Sequence, residues 1–414
     1  MPPRSGSTAL ETLRPGGRVH VLGAGPVGLL ITALLQSMDG MSVHLYEKRP
    51  AYTRTRMVTL AQYLVADSVA GYRTDDIDGE SVDAIFDPAE LVAGLAGRRA
   101  IPSDLMALLR AWALGFCPLN TIERTLSDLI DGRGSDAVVR DEAVVTVEEA
   151  IGMLEPDDVL IDCTGSRSLL RDQLMPGSED VDGVTNTLNV RLEYALVITF
   201  LYGQLYDCNE SCKYFKNAEN EHYKFIPAVH RTYYDGATTH VTGIVNISAE
   251  EFAAMPSTFD GEWLRGNFPS VARSMDRFID KIKEETHGEV LGDLEIVRIP
   301  LDLYRARNAT SRSWRDSGPA DHPFARTPVF LLGDAAIGSP YFQSISLGLE
   351  CAMFLAGLLE QRNLPIDDML DRYELYIYKQ WLRVYMRGKT IKHNKDLLES
   401  IDDRTALLSQ LHIY

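Results

Sequence analysis

The chain has 414 residues, of which 45% are hydrophobic, so it can bury a substantial core distributed over two or three domains. Its formal net charge of −18 argues against a nucleic-acid backbone and against an anionic membrane surface as partners. The five cysteines, at positions 117, 163, 208, 212 and 351, are too scattered for a zinc site and fit a reducing compartment. We therefore expect a cytoplasmic protein that has no resident metal ion.

The first residues lack the apolar core of a signal peptide, so we expect none. Residues 1–17 are rich in proline, glycine and serine, which predicts a flexible tail. The longest apolar run, residues 27–35, is too short to span a bilayer and belongs to the first predicted helix.

The most informative stretch is Arg18 to Arg49. An apolar run at 19–22 predicts a buried strand, residues 29–38 continue as an apolar helix, and 42–46 predict a second strand that ends at Glu47. Between the first strand and the helix, Gly23, Gly25 and Gly28 have the G-x-G-x-x-G spacing. An ordinary strand–turn–helix with three glycines is the alternative, but the strand, the helix and the acid favour a dinucleotide site.

Each residue of this motif has a physical reason. Gly23 permits a tight turn, Gly25 lets the backbone approach a pyrophosphate, and Gly28 lets the helix pack close to the strand. Pro26 and Val27 complete the turn, and the helix N-terminus offers N–H groups to phosphate. Glu47 lies about 20 residues past the glycines, where an acid can accept hydrogen bonds from a ribose.

A basic loop follows Glu47. It contains Lys48, Arg49, Arg54 and Arg56, and it precedes a predicted helix at 59–70. A solvated basic loop is the alternative, but its nearness to Glu47 favours a role in neutralising phosphate or stacking on adenine.

The chain then alternates between helices and strands. We predict a turn-rich segment at 72–87, helices at 88–96, 103–115 and 119–130, and strands at 143–147 and 159–162. The last strand runs into Thr164 and Gly165 and precedes a predicted helix at Ser168, which makes a second strand–turn–helix.

Composition changes after Gly183 towards β-branched and aromatic residues. We predict strands at 187–202, 223–248 and 294–305, with a hairpin turn at Asp235-Gly236 and helices at 250–255 and 262–285. This pattern indicates a second domain built on a mostly antiparallel sheet. Its polar side chains could orient a substrate, although structural roles are commoner for such residues; they are His222, His230, His240, Tyr233 and Tyr234.

The chain returns to the first domain near its end. A buried strand at 329–332 runs into Gly333, Asp334 and Ala335, Pro340 follows, and a helix is predicted at 346–361. Asp334 at a strand end before a helix is typical of a ligand contact in an open α/β sheet, the alternative being a turn cap. Residues 367–412 are predicted to be helical.

Together these three segments resemble the FAD motifs of single-component flavin-dependent monooxygenases of the aromatic-hydroxylase type. They are the glycine motif with Glu47, the run DVLIDCTGSRSLLR, and the run LLGDAAIGSPYFQ with LGLECA after it. The stretch EKRPAYTRTRMVTL is also similar to the MICAL monooxygenase domain, which implies that Arg54 contacts FAD. The resemblance further implies that Gly333 and Asp334 bind the ribityl side of FAD.

The sequence departs from that family at several positions. Thr164 stands where the family has aspartate, and Ile337 stands where it has histidine. The glycines that usually follow the proline are replaced by larger residues, namely Tyr341, Phe342, Ser344 and Ser346. The reductive half of the cycle and the space near the flavin ring are expected to differ accordingly.

The sequence therefore predicts an α/β fold with a Rossmann-like FAD-binding domain, an inserted antiparallel substrate domain and C-terminal helices. The expected boundaries are 1–17 for the tail, 18–185 and 306–362 for FAD binding, 186–305 for substrate and 363–414 for the helices. The expected activity is oxygenation of a small organic substrate with FAD, NAD(P)H and O₂, which suits secondary metabolism. The alternatives are a reductase or dehydrogenase without oxygen insertion and a flavin-binding protein without turnover.

Overall fold

The computed structural model divides the chain into two compact units. It describes residues 17–54, 57–58, 60–65, 101–114, 117–134, 138–141, 144, 146–176, 185–206, 225–234, 236–339 and 344–386. Within that part of the chain, the first unit holds residues up to 190 and from 303, and the second holds residues 191–302.

The first unit is built on a parallel sheet of five strands in the order β11-β6-β1-β2-β5. These strands are β1 Arg18–Leu22, β2 Ser42–Tyr46, β5 Val138–Asp141, β6 Val159–Asp162 and β11 Val329–Leu331. In the centre, Val21 lies beside Leu45 of β2 and Ile161 of β6, and all three are buried. This apolar centre explains why the sequence predicts the short apolar runs of β1, β2 and β6 as buried strands. A separate antiparallel pair joins β3 Met57–Val58 to β4 Cys117–Pro118.

Helices surround this sheet. They are α1 Pro26–Gln36, α2 Ser103–Leu114, α3 Leu119–Gly132, α4 Val147–Gly152, α8 Arg312–Ser317, α9 Pro323–Arg326, α10 Ser344–Glu360 and a final helix, α11, over residues 366–386. Three short 3₁₀ turns lie at Gln62–Val65, Asp172–Leu174 and Gly333–Ala335. Helix α1 is almost wholly buried because it packs against both α3 and α10.

The second unit contains an antiparallel sheet with helices packed on one face. Its strands are β7 Thr187–Tyr202, β8 Phe225–Tyr234, β9 Thr239–Ile247 and β10 Val290–Ala306, in the order β10-β7-β9-β8. Its helices are α5 Ala249–Ala254, α6 Gly261–Asn267 and α7 Pro269–Thr286. Alternate residues of β7, among them Ile198 and Phe200, join Met275 and Phe278 of α7 in one buried cluster. The ends of β7 and β10 belong to the first unit, where Tyr304 and Arg305 of β10 pair with β12 Ile337–Gly338.

Three predicted elements are wrong. Of the strand expected at 143–147, positions 143 and 145 lie outside the described residues. Val147 begins a helix, because Thr146 and Glu149 form a reciprocal capping box, and the strand in this region is β5. The single helix expected at 262–285 is two helices, since Pro269 begins a new one after Phe268. No α-helix begins at Ser168.

The mostly antiparallel second sheet and the parallel first sheet are both confirmed, and so is the hairpin between β8 and β9. The helix expected at 59–70 is only the 3₁₀ turn over 62–65 among the residues described, and the segment 72–96 lies outside them. No helix in the described part of the chain is both long and apolar enough to cross a membrane.

Candidate functional site

The turn between β1 and α1 depends on Gly23 and Gly28. Gly23 has a φ of +98°, and its N–H donates to the carbonyl oxygen of Tyr46 at 2.8 Å. A Cβ at Gly23 would lie 2.8 Å from the carbonyl oxygen of Cys163. A Cβ at Gly28 would overlap the carbonyl oxygen of Gly23. Both positions therefore require glycine, as the motif predicts.

The N-terminus of α1 is open to a ligand. Gly25 is the N-cap and Pro26 is the first helical residue. Among the described residues no side chain caps the helix, and its first turn holds no acidic residue. The nearest atom to a Cβ at Gly25 would be Nη2 of Arg54, at 3.6 Å. The free N–H groups and the helix dipole can therefore meet an anion beside a guanidinium.

Val27 has a packing role. A Cβ at Gly348 would lie 2.7 Å from Cγ2 of Val27, and one at Gly333 would lie 3.3 Å from it. Val27 therefore fills the space between the turn at Gly333 and helix α10, and it joins the first motif to the third.

Glu47 already has four hydrogen-bond donors. Its Oε2 accepts from Ala24 N at 2.9 Å and from Arg49 Nη2 at 3.1 Å, while its Oε1 accepts from Arg49 N at 2.8 Å and Nε at 3.1 Å. Burial raises the pKa of Glu47, but the bonds from Arg49 and Ala24 outweigh it, so the pKa is below its usual value. Because the carboxylate has about four acceptor positions, a ribose hydroxyl would have to replace a bond from the Arg49 side chain.

The basic loop is paired with a buried carboxylate. Glu123 of α3 is 0% exposed, and its Oε1 accepts from Nη2 of Arg54 and lies 3.5 Å from Nη2 of Arg49. The side chain of Lys48 is exposed. The structure thus brings Glu47, Arg49 and Arg54 together, beside Gly25.

The second loop is shaped by Asp162 at the end of β6. Its Oδ1 accepts from N and Oγ1 of Thr164 at 2.8 and 2.6 Å, and its Oδ2 accepts from Ser168 Oγ at 2.6 Å and Leu170 N at 2.9 Å. Because Ser168 and Leu170 are drawn back to Asp162, the chain turns here instead of starting the predicted α-helix. The hydroxyl of Thr164 also accepts from Leu169 N at 3.0 Å, so it is engaged within the loop.

Arg171 ties the second loop to the third. Its Nε donates to Ala335 O at 2.8 Å, and its Nη2 donates to Asp334 O at 2.9 Å and Ser166 O at 3.1 Å. The guanidinium also lies 5.0 Å from the ring centroid of Tyr304, a cation–π distance. Gly165 has a φ of +92°, a conformation that suits glycine in this loop.

Tyr304 completes this junction. Its hydroxyl donates to Asp334 O at 2.7 Å, and burial, followed by the Asp334 charge, raises the pKa of Tyr304 to about 12. Two carbonyl oxygens of the Gly333–Ala335 turn therefore accept hydrogen bonds: that of Ala335 from Arg171, and that of Asp334 from Arg171 and Tyr304.

The third motif is a 3₁₀ turn. Gly333 has a φ of +64°, and Asp334 lies within the turn, half-buried. The next helix, α10, begins at Ser344, within two residues of the start expected at 346. Ile337, in place of the family's histidine, is buried in β12, and the hydroxyl of Ser346 accepts from Ala61 N at 3.0 Å.

Other predicted site residues lie either outside the described part of the chain or on the strands of the second sheet. Arg56, Pro340, Tyr341, Phe342 and His222 are not among the described residues. His230, Tyr233 and Tyr234 lie on β8, and His240 lies on β9 opposite Leu201 of β7.

Three site residues were missed from the sequence: Glu123, Asp162 and Arg171. Glu123 gave a signal, because it is a charge among Leu119, Ile122, Leu126 and Ile130 on the buried face of α3. Asp162 and Arg171 gave none on their own, since their partners depend on how separate loops meet.

The described residues contain no group of three or more side chains placed to hold a metal ion. No protein-family model matches the sequence. No curated protein matches it either.

Solved structures are similar at the level of the fold. The chain matches the Diels-Alderase PyrE3 of pyrroindomycin biosynthesis with a TM-score of 0.51 and 15% identity, over 93% of this chain and 77% of that one. It matches 2-methyl-3-hydroxypyridine-5-carboxylic acid oxygenase with a TM-score of 0.49 and 15% identity, over 93% of each chain. It matches Klebsiella pneumoniae HpxO, complexed with FAD and uric acid, with a TM-score of 0.47 and 15% identity, over 94% of each chain. The match to PyrE3 shows that the chain shares that enzyme's fold.

Proposed function

We propose that the chain is an FAD-dependent monooxygenase that uses NAD(P)H and O₂ to hydroxylate or otherwise oxygenate a small organic substrate. The observation that carries the proposal is the open N-terminus of α1, with Gly25 at its cap and the Arg54 guanidinium beside it. A helix end and an arginine that converge on a glycine suit a pyrophosphate, the group that links the two halves of FAD.

The described residues fit this cofactor at the pyrophosphate and, after a side-chain movement, at the ribose. No Cβ blocks the approach at Gly25. Glu47 would accept the ribose hydroxyls once the Arg49 guanidinium leaves it, and the free guanidinium would then lie close to the phosphates or the adenine. Arg49 is a half-buried side chain on a loop, so such a movement is local.

When bound, FAD would supply the redox chemistry, accepting electrons from NAD(P)H and activating O₂. The chain's own residues would hold the cofactor and shape the space around it. Arg171 fixes the loop at Gly165 against the turn at Gly333, which keeps both loops rigid at the ends of β6 and β11. We assign Gly333, Asp334 and Ala335 to the ribityl side of FAD, and Thr164 and Gly165 to a neighbouring backbone contact.

We assign the substrate to the second unit. The face of its sheet that points away from the helices carries Val197, Thr199, Thr242 and Ile244, which are all partly exposed. The hydroxyl oxygens of Thr199 and Thr242 lie 3.4 Å apart. Such a mixed surface suits a small organic molecule with a few polar groups. We also propose the boundaries 18–185 and 306–362 for FAD binding, 186–305 for substrate, and a cytoplasmic location.

A second candidate is a flavoprotein that does not insert oxygen, either as a reductase or dehydrogenase or without turnover. It is favoured by Thr164, which replaces the family's aspartate and whose hydroxyl is engaged within its own loop. The fold also does not fix the reaction, because a Diels-Alderase shares it and a Diels–Alder addition inserts no oxygen.

The test is to purify the chain, denature it and identify any released nucleotide. We expect FAD, bound tightly but not covalently, either as purified or after reconstitution. Release of NAD, or no binding of FAD after reconstitution, would refute the proposal. A product that forms with NAD(P)H only when O₂ is present separates the monooxygenase from the second candidate.

A further inference from the structure

Glu123 is an unusual residue for the buried face of a helix. Its side chain is 0% exposed on α3, and among the described residues its Oε2 has no hydrogen-bond partner. Its Oε1 accepts from Arg54 and lies near Arg49. A buried carboxylate is costly unless its charge is compensated, and among the described residues Arg54 and Arg49 compensate it.

The two arginines would repel one another without that carboxylate. Nη2 of Arg49 and Nη2 of Arg54 approach the same oxygen of Glu123, so two positive charges converge on one point. The Arg54 side chain is 44% exposed and would otherwise be free to turn into solvent. Glu47 also holds the Arg49 guanidinium, so it is the placement of the Arg54 guanidinium beside Gly25 that depends on Glu123.

We infer that Glu123 is a positioning residue that holds the Arg54 guanidinium at the N-terminus of α1, with Arg49 close to the same carboxylate oxygen, ready for a dianionic pyrophosphate. This inference rests on the proposed FAD site. It extends that site, because Glu123 does not touch the cofactor and acts through the arginines.

The direction in which one substitution changes FAD affinity distinguishes positioning from a direct charge effect. Glu123→Gln removes a negative charge near an anionic ligand, so electrostatics alone would tighten FAD binding. Positioning predicts the opposite, because a neutral amide no longer holds two guanidiniums together. We expect Glu123→Gln to weaken FAD binding about three- to tenfold, because the freed arginine side chains lose conformational entropy when FAD binds.

The experiment is a double-mutant cycle on FAD affinity. The four proteins are the wild type, Glu123→Gln, Arg54→Ala and the double variant, each as the full chain with FAD removed. The FAD dissociation constant is measured by quenching of flavin fluorescence at fixed salt, and thermal unfolding verifies that each protein is folded. Asp158→Asn is the matched control, since Asp158 is also a buried carboxylate bonded to an arginine, Arg18, but lies at the opposite end of the sheet.

The expected result is a weaker affinity in Glu123→Gln, with little further effect of this change in the Arg54→Ala background. Asp158→Asn should leave the affinity unchanged. Equal or tighter FAD binding by Glu123→Gln overturns the inference while the proposed function stands, and so does an equal loss in both backgrounds, which indicates general damage to the fold. A wild type that binds no FAD refutes the proposed function, and the inference with it.

A second variant serves if Glu123→Gln does not fold. Glu123→Asp keeps the buried charge but withdraws the carboxylate by one methylene from both guanidiniums. We expect it to weaken FAD binding as well, and wild-type affinity in this variant overturns the inference.

Discussion

At the scale of single residues, a missing Cβ decides several contacts. Gly338 lies in β12, and a Cβ there would overlap the ring of Tyr304, whose hydroxyl holds the carbonyl of Asp334. The glycine therefore makes room for an aromatic ring that supports the third motif. Gly266 in α6 differs, because a Cβ placed there meets no described atom within 4 Å apart from its chain neighbours and the backbone of its own helix.

We predict that Gly338→Ala destabilises the chain by about 1–3 kcal/mol, the usual cost of overpacking. Gly266→Ala should be neutral or stabilise by up to about 1 kcal/mol, since alanine is the better helix former. Urea denaturation of both variants measures the difference. Equal stability of Gly338→Ala and the wild type would contradict the packing described around Tyr304.

Arg54 provides a second prediction at this scale. In the proposed site, Arg54→Ala would remove a charge-assisted hydrogen bond to phosphate, worth roughly 1.5–3 kcal/mol, so FAD affinity should fall by about one to two orders of magnitude. The free energy of unfolding should fall too, because Glu123 loses its bonded partner.

Arg140→Ala is the control for this change. Arg140 lies in β5, and it pairs with Asp131 at 2.9 Å on the surface. Its loss should leave FAD affinity unchanged. The same affinity in the two variants would leave Arg54 as a surface arginine paired with Glu123, with no part in binding.

The sequence predicts residues well where the reason is local. Gly23 and Gly28 must be glycine because of the turn they form, and that turn is specified by six consecutive residues, 23–28. Glu123 and Asp162 could not be assigned this way, because their roles depend on arginines and loop donors from other segments.

At the scale of elements, α11 is joined to the segment before α8 by a partly buried carboxyl group, that of Glu374. Oε1 of Glu374 accepts from Thr310 N at 2.7 Å and Oγ1 at 3.0 Å. Burial raises the pKa of Glu374 to about 7, although the bonds from Thr310 oppose the shift. The folded chain therefore favours the protonated carboxyl group more than the unfolded chain does.

The sign of the pH dependence follows from this shift. A raised pKa contributes stability that is fully present below the unfolded value, near 4.5, and is lost as the pH rises through about 7. We predict that Glu374→Gln, which stays neutral and keeps an acceptor for Thr310, is more stable than the wild type at pH 8. The advantage should be on the order of 1 kcal/mol or more and should shrink towards pH 5.

Urea denaturation at both pH values tests this. Glu284→Gln, at an exposed position of α7, should show no such change with pH. A constant difference between Glu374→Gln and the wild type across the range would contradict the raised pKa.

The elements that the sequence predicted correctly are those whose pattern repeats. Helix α3 and strand β7 have apolar residues at regular spacing, and their bounds were found to within a few residues. The elements that failed were set by single residues. Pro269 divides one helix into two, and Asp162 takes the donors that a helix at Ser168 would need.

At the scale of the whole molecule, three distant segments meet because their strands are neighbours. Strands β1, β6 and β11 are adjacent and parallel, so the turns after Leu22, Asp162 and Leu331 emerge at the same edge. Chain order and strand type were enough to predict this meeting. They were not enough to predict Arg171 and Val27, the side chains that fasten the turns to one another.

This arrangement confines the proposed cofactor contacts to the first unit. We therefore predict that FAD slows amide hydrogen exchange most strongly in peptides covering residues 23–30 and 162–171. Ligand binding stabilises the conformations that bind it, so the opening of these turns becomes rarer as FAD approaches saturation. Peptides from α5 and α6, in the second unit, should exchange at the same rate with and without FAD. Mass spectrometry of the full chain with FAD, and with NAD as the control nucleotide, measures both sets. Slowing in α5 and α6 equal to that in the turns, or the same pattern with NAD, would contradict an FAD site built on the N-terminus of α1.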